Sequence, residues 1–591
     1  MILSFEYEKI GNLIVIKPSD YQPYEWSEFQ RIISDYTQDM ILVDGNLKFT
    51  EHTFISIKTQ IGIYLQTRRI RAEFSEEIKR ILQKAKDNGY NAAINAIDQD
   101  ESIITAKLEK TGFIRKLTPN QMANVCHLAS LPSGATFSVP GAGKTTEALA
   151  FFFCNAKKDD QLLVVGPLSA MGAWEEQLKE CCPGIKKSFV RLRGGEKNIA
   201  RLLSDNPRFM SISYGQFANV SNLIKNHLTY HSVFMFLDES HRIKSGRAGV
   251  SPQEILKISH LPTRKLILSG TPCPQAISDL LPQFEFLYPD YSVDEKSVVK
   301  AIQPIYVRTT KDQLGIPKIN FKLTKLEMDP LQKEIYKRIR SETARQLSLM
   351  LSNFSKSVLR DIGKKIIKVM EFTSNPSLLA GDIEFVFDEK IGNLLAIDNG
   401  VKIDYACKRA RELANDGNKV IIWSQFVKNV QLITERLQDL GADCIYGSVK
   451  SGDEQEEDTR EWKIKEFHEN PNKMVLVLNP AAASEAISLH KACKYAIYVD
   501  RSFNAAHFLQ SEDRIHRLGI KESPTVEILE CRDTIDQVVA QRLDTKIRTM
   551  ANALNDNSLK VDPIPYDIDF SETDMDNDDI RAVMEYFGIK G

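Results

Sequence analysis

The chain has 591 residues, of which 42% are hydrophobic and 26% charged, with a formal net charge of −2. That length exceeds a single hydrophobic core and predicts roughly three or four domains, while the balance excludes a fibrous or disordered class. Near-neutral charge gives no bulk attraction to nucleic acid, so a basic groove would have to be offset by acidic segments elsewhere.

The opening "MILSFEYEKIGN" has no basic stretch followed by an apolar core, so no signal peptide is expected. No apolar run approaches the length that spans a bilayer, which predicts no membrane partner. The nine cysteines are scattered, and the adjacent Cys181 and Cys182 lack the spacing of a zinc site. They read as reduced thiols in a cytoplasmic protein, nucleoid-associated if bacterial. Within residues 1–112, "NLIVIKPS" and "MILVDGNLKFT" each read as a strand and "SEEIKRILQKAKDNGY" as a helix. They predict a small accessory α/β domain that binds a partner protein or a particular DNA structure. Its Arg68, Arg69 and Arg71 either touch nucleic acid or form a solvated cluster.

In residues 113–299, the β-prone "GATFSV" runs into "SVPGAGKTT" (138–146), and the helical "TEALAFFFCNA" follows. Strand, glycine-rich turn and helix are the context of a P-loop. Gly141 and Gly143 let backbone N–H groups face phosphates, and the helix N-terminus adds positive potential. Lys144 would reach the β- and γ-phosphates of ATP and Thr145 would hold Mg²⁺, with Ala142 and Thr146 completing the cradle. The P-loop pattern opens with glycine five residues before Gly143, where this chain has Ser138. Strand candidates "QLLVVG", "KSFVRL", "FMSISY", "SVFMFLD" and "KLILSG" alternate with helices such as "AWEEQLKECC" and "PQEILKISH". That alternation predicts a parallel sheet covered on both faces. "DESH" closes one strand, where such sheets bind ligands. There Asp238 fits Mg²⁺ and Glu239 fits the base that positions water; a helix cap is the alternative for this Asp and Ser.

Residues 300–402 read as a linker and a helical protrusion, whose run over 331–372 is basic and amphipathic. It presents either a solvated face or a DNA-facing one. Residues 403–555 alternate again, with strands "KVIIWSQ", "DCIYGS", "KMVLVLN", "YAIYVD" and "TVEILE" and no second P-loop. Near their end "QSEDRIHRLG" (510–519) sets Arg514 and Arg517 one turn apart on a predicted helix face, with Gln510 and Asp513 alongside. Arginine's planar fork suits phosphate, so the pair fits fingers on the γ-phosphate and Gln510 fits the same nucleotide site. A surface ion-pair ladder with Glu512 and Asp513 is the alternative. The acidic stretch 556–591 reads as a solvated tail or a DNA mimic, and its aspartates lack the glycine of a calcium loop.

Taken in order, these segments resemble the Swi/Snf-type branch of superfamily-two helicase-like ATPases, over roughly residues 113–550. "LTPNQ" resembles the Q-motif, which makes Gln121 a candidate adenine reader. "SVPGAGKT" is similar to motif I, and "VVGPLSAMGAWEEQL", with Trp174, to motif Ia. "LDESHRIKS" is similar to motif II. "LSGTPCPQ" resembles motif III, where Ser269 and Thr271 would couple the lobes. "IYVRTTKDQLGIPK" and "MDPLQKEIY" resemble the link into the second lobe, "KVIIWSQF" motif IV and "QSEDRIHRLG" motif VI. Two departures stand out. Motif V reads "LNPAAASEAISL", with Ala and Ser in place of glycines and Ser488 in place of Asn, and Ile520 follows Gly519. Both variants look more like bacterial and phage members than chromatin remodellers.

The resemblance implies an α/β fold of two RecA-like parallel-sheet lobes forming an ATP cleft, with a helical protrusion and a small N-terminal domain. It implies ATP and Mg²⁺ as cofactors, double-stranded DNA as partner, and ATP-driven movement along duplex DNA without extensive strand separation. A strand-separating DNA or RNA helicase and a low-turnover ATP-switched scaffold are the rival expectations.

Overall fold

The computed structural model describes residues 1–8, 13–36, 40–87, 89–186, 188–246, 249–350, 356–380, 400–450, 457–483, 488–559, 582 and 584–589. Most of the acidic stretch expected over 556–591 lies outside them. The chain forms two compact units. The first comprises residues 1–139, 143–272 and 277–309; the second comprises 310–591 with 140–142 and 273–276.

The first unit contains two sheets. The smaller has five strands in the order 41–43, 46–50, 13–19, 2–8, 71–74, with only the pair 2–8 and 71–74 parallel. The single strand expected over 40–50 is a hairpin. Asp44 (φ 52°) and Gly45 (φ 75°) turn the chain in the left-handed region, as a two-residue hairpin loop requires. Helices Pro23–Tyr36 and Glu51–Thr67 contribute Phe29, Ile33, Phe54 and Ile57 to a core shared with Phe5, Ile14 and Phe49.

That core ends near Leu82. The next helices, Tyr90–Ile94 and Glu101–Thr111, belong to the larger sheet's surroundings. The Tyr90 hydroxyl donates to the Ala301 carbonyl at 2.9 Å, and its ring packs on Phe284, Tyr288 and Tyr291. Gln99 Nε2 donates to the Ala129 carbonyl at 2.7 Å, and helix Glu101–Thr111 buries Ile104 and Leu108 against helices Pro119–Ser130 and Lys144–Asn155. A chain starting at Gly112 should therefore melt well below one starting at Gly89. Losing two buried aliphatics alone costs about 3–6 kcal/mol. Thermal melts of the two chains check this, and equal midpoints would overturn it.

The larger sheet has seven parallel strands in the order 306–307, 133–136, 264–268, 233–238, 161–166, 209–213, 190–191. Its central strands, such as Gln161–Gly166, are buried throughout, as expected where helices cover both faces. The strand expected over 187–192 shortens to the edge pair Val190–Arg191. Tyr306–Val307 adds a strand at the opposite edge, too short to show a pattern.

The second unit holds six parallel strands in the order 320–326, 525–531, 495–498, 420–423, 475–478, 443–445. All five predicted strands are present. The sixth, Asn320–Leu326, is an edge strand with no buried residue, so its sequence lacks a strong apolar signal. Helices Pro330–Met350 and Lys356–Ser374 cover the predicted helical run, of which 351–355 lie outside the described residues. No described helix is long and apolar enough to cross a membrane.

Candidate nucleotide site

The turn between strand Ser133–Thr136 and helix Lys144–Asn155 is built on two glycines with left-handed backbone, Gly141 (φ 87°) and Gly143 (φ 89°). Gly143 has a second constraint: a Cβ there would lie 2.2 Å from the Gln121 amide nitrogen. Gln121 is the third residue of a capping box. Its Oε1 accepts the Thr118 N–H at 3.1 Å, and its N–H donates to Thr118 Oγ1 at 3.3 Å. Its carbonyl end is thus engaged, and its amide nitrogen faces the phosphate turn. Ala142 is buried, and Thr145 is half-buried on the helix's first turn. Thr146 donates to Gln177 Oε1 at 3.0 Å.

Ser138, which departs from the glycine pattern, has no positive φ. Its buried hydroxyl accepts the Thr309 N–H at 3.0 Å and lies 3.3 Å from Thr136 Oγ1. Thr136 donates to Glu147 Oε2 at 2.7 Å, and Asn124 Nδ2 donates to Glu147 Oε1 at 2.8 Å. Burial pushes the Glu147 carboxyl up, and these two donors oppose that. A glycine at 138 would remove a hydroxyl from this buried network. Lys144 Nζ donates to the Ser138 carbonyl at 2.8 Å, so the phosphate lysine rests on the same residue.

Strand Val233–Asp238 is one strand removed from the P-loop strand, with Arg264–Leu268 between them. Asp238, at its carboxyl end, accepts the Trp174 indole N–H on Oδ2 at 2.8 Å and the Glu239 N–H on Oδ1 at 3.0 Å. The Tyr214 hydroxyl donates to the Asp238 carbonyl at 2.8 Å. Desolvation first, then the Glu239 charge, pushes the Asp238 carboxyl up to about 6; Trp174 and the Lys144 charge oppose the rise. Glu239 adopts φ 51°, and its Oε2, shielded from solvent, has no hydrogen-bond partner, with His241 Nδ1 at 3.4 Å. His241 also meets the Ser269 hydroxyl at 3.1 Å, joining the two segments read as motifs II and III. No side chain at 238–239 caps the following helical turn.

This donor set fits a hard cation. Asp238 supplies an anchored carboxylate, and Thr145 lies on the P-loop helix; Mg²⁺ uses few protein ligands beside phosphate oxygens. Among the described residues no cluster of three or more His, Cys, Asp or Glu forms a separate metal site.

In the second unit the arginine segment differs from its predicted form. Helix Ala505–Glu512 ends before Arg514, with Asp513 as its C-cap, so the two arginines do not share a helix face. They lie in the turns that follow, closed by Gly519 (φ 101°). Nor is the segment a surface ladder: Gln510, Glu512, Asp513 and Arg514 are all buried. Arg514 Nε donates to the Gln510 carbonyl at 2.8 Å. Asp513 pairs with Lys311 at 2.6 Å, and Arg501 pairs with Glu530 at 2.7 Å beneath the helix. Ser488 donates its hydroxyl to, or accepts from, His490 Nδ1 at 2.9 Å, while 484–487 of the same segment lie outside the described residues.

Burial pushes the Glu512 carboxyl from 4.5 up to about 8. Between those values the folded chain keeps a proton that the unfolded chain releases, so stability falls as pH rises. Glu512→Gln should raise the melting temperature at pH 8 and lose that advantage by about pH 4.5. An offset independent of pH would overturn this.

Trp174, Tyr214, Gln177 and Lys311 each support a candidate residue, and spacing alone assigned none of them such a role. Trp174 and Gln177 fall within the segment resembling motif Ia and Lys311 within the one resembling the link into the second lobe, whereas Tyr214 falls in no such segment.

A P-loop turn beside an acidic strand end in one parallel sheet, with a second parallel sheet in the same chain, defines the class of P-loop nucleotide-binding proteins with paired helicase-like lobes. Residues 132–297 match the SNF2-related domain and residues 402–519 the helicase conserved C-terminal domain. The chain thus carries a segment of SNF2-related type followed by one of helicase C-terminal type. It is 22% identical over 435 residues to the mouse (Mus musculus) DNA annealing helicase and endonuclease ZRANB3, covering 71% of this chain and 39% of that protein. It is 25% identical to the mouse chromodomain-helicase-DNA-binding protein 1-like, covering 69% and 46%, and 24% identical to the Saccharomyces cerevisiae ISWI chromatin-remodeling complex ATPase ISW1, covering 76% and 41%. The chain thus spans less than half the length of these relatives. A Sulfolobus solfataricus SWI2/SNF2 ATPase core in complex with dsDNA aligns over 76% of this chain and 95% of that one, at 18% identity and a TM-score of 0.33.

Proposed function

We propose that the chain is a DNA-dependent ATPase that translocates on double-stranded DNA without extensive strand separation. The observation that carries the hydrolytic part is the acidic strand end. Asp238 is fixed by an indole and a backbone N–H, and the next carboxylate, Glu239, keeps a shielded oxygen without a hydrogen-bond partner. That is the form of a metal-binding acid followed by a base awaiting water.

In this reading Lys144 leaves the Ser138 carbonyl for the β- and γ-phosphates, and the backbone of Gly141, Ala142 and Gly143 cradles them. Gln121 borders the cradle, and Thr145 and Asp238 would hold Mg²⁺, which supplies charge neutralisation when bound with ATP. Glu239 orients the attacking water and accepts its proton. Arg514 and Arg517, with Gln510 beside them, stabilise charge on the transferred phosphoryl group. Duplex DNA as the track is supported by the family and by relatives whose names carry DNA annealing and DNA binding. Contacts confined to phosphates would give movement without sequence preference.

The test is the ATPase rate with and without nucleic acid. Duplex DNA should stimulate turnover more than single strands or RNA, and a triplex-displacement assay should score positive while fork unwinding stays weak. Raising salt from 50 to 200 mM should weaken DNA binding by about a hundredfold or more if several phosphates are contacted. Stimulation by RNA alone, or robust unwinding, would favour a strand-separating helicase. Slow turnover indifferent to any nucleic acid would favour an ATP-switched scaffold.

A further inference from the structure

A buried tryptophan stands behind the acid of the candidate site. Strand Val233–Asp238 sends Phe236 and Asp238 to the same face. Trp174, 1% exposed, meets both: its ring lies 6.3 Å from the Phe236 ring, and its Nε1–H donates to Asp238 Oδ2 at 2.8 Å. Phe189 packs on the same indole at 6.1 Å. A buried indole N–H needs a partner, and a backbone carbonyl or a water would meet that need. Here the partner is the carboxylate that fits Mg²⁺.

The geometry has a consequence for that carboxylate. It offers about four lone-pair sites, and its terminal torsion is soft. The Glu239 N–H, 3.0 Å from Oδ1, occupies one site but leaves the group able to turn about its Cβ–Cγ bond. A second donor on Oδ2, from a packed aromatic on another element, fixes the plane and leaves a lone pair on each oxygen. The backbone closes in on the same side chain. Strand Gln161–Gly166 runs beside Val233–Asp238, and a Cβ on Gly166 would lie 3.0 Å from Asp238 Cβ.

Helix Met171–Cys181, which carries Trp174, also reaches the phosphate turn. Gln177, one turn after Trp174, accepts the Thr146 hydroxyl at 3.0 Å. Thr146 adjoins Thr145 on the first turn of helix Lys144–Asn155. One helix thus ties the acidic strand end to the helix that bears the other candidate metal ligand.

We propose that Trp174 is a positioning residue for the divalent cation: its indole N–H, together with the Glu239 backbone N–H, holds the Asp238 carboxylate in the one orientation in which it takes Mg²⁺. This rests on the nucleotide reading above. Trp174 itself touches no reacting atom.

The full chain is loaded with ADP and titrated with Mn²⁺, which takes the same oxygen ligands as Mg²⁺ and is counted by electron paramagnetic resonance. Trp174→Phe keeps an aromatic ring and removes the N–H. It should weaken Mn²⁺ binding by about tenfold or more, the scale of losing a group that orients a metal ligand. ADP affinity in EDTA should stay at the parent value. The Mg²⁺ concentration for half-maximal ATP hydrolysis should rise by the same factor, and excess Mg²⁺ should restore most of the turnover. A tryptophan that only fills the core predicts a lower melting temperature with unchanged metal affinity, and that result would overturn the proposal. If Trp174→Phe fails to fold, the unmodified chain decides. Its four tryptophans give four ¹⁵N-labelled indole N–H resonances, and Trp174's is the one that survives single replacement of Trp26, Trp423 and Trp462 by Phe. It should move upfield when Mg²⁺ joins the ADP complex, because the cation draws charge from the indole's acceptor. A resonance indifferent to Mg²⁺ would overturn the proposal. A parent ADP complex whose Mn²⁺ affinity is unchanged by Asp238→Ala defeats the metal reading of Asp238 instead. A parent that needs Asp238 for Mn²⁺ but is indifferent to Trp174→Phe defeats only this inference.

Discussion

Glu239→Gln should bind ATP and Mg²⁺ as the parent chain does and hydrolyse ATP slower by about 10²–10⁴-fold, the usual contribution of a positioned general base. The Gln side chain keeps the size of Glu239 and removes its capacity to accept a proton from water. Asp238 keeps its two anchors, the Trp174 indole and the backbone N–H of residue 239, because neither depends on the Glu239 side chain. Metal binding should therefore survive, since loss of the Glu239 charge only removes a repulsion that helps raise the Asp238 carboxyl. Lys144→Ala should fail differently. It removes the cation that now rests on the Ser138 carbonyl and would serve the phosphates, so ATP binding and turnover should fall together. Equilibrium binding of a fluorescent ATP analogue with single-turnover hydrolysis separates the two variants. Hydrolysis at the parent rate in Glu239→Gln would remove this residue from the role of base.

The parts of this site that sequence revealed are those whose chemistry needs a fixed local pattern. A phosphate turn needs glycines at left-handed positions, and Gly141 and Gly143 stand there. An acid at the end of a buried strand needs an apolar run before it, and "SVFMFLD" provides one. Each of the five legible strands of the second sheet buries at least one residue, down to Ile445 alone in the edge strand Asp443–Ile445; Asn320–Leu326 was not legible, because it buries none and has no continuous apolar face to display. The hairpin at 41–50 did carry a signal, the Asp44-Gly45 pair, but two apolar runs so close together read as one strand. The arginine turn shows a different limit. Nothing between Gln510 and Leu518 is a glycine or proline, so local rules continue the helix past both arginines. The chain leaves the helix where Lys311 and the Pro317 carbonyl, about two hundred residues upstream, hold Asp513 and His516. Tertiary anchors of that kind override propensity and leave no local trace. Ser138 is similar: its hydroxyl has meaning only once Asn124, Thr136, Glu147 and Thr309 surround it.

Arg514→Ala and Arg517→Ala should each cut DNA-stimulated turnover by on the order of a thousandfold, the scale of a finger on a transferred phosphoryl group. Nucleotide affinity should change far less, because the P-loop turn and Lys144 would make most of the ground-state contacts. The two variants should nevertheless differ in a second property. Arg514 is 7% exposed and donates from Nε to the Gln510 carbonyl, so its removal empties space beside the end of helix Ala505–Glu512. Arg517 is less buried and lies beyond the His516 anchor, so Arg517→Ala should melt close to the parent. Arg514→Lys discriminates further. A lysine keeps the charge but loses the fork that makes two parallel hydrogen bonds to phosphate. It should restore stability without restoring turnover if the role is transition-state stabilisation, and should restore both if Arg514 acts only as a buried cation. Turnover and melting temperature measured together on the three variants decide between these. Parent-like turnover in both alanine variants would end the finger assignment.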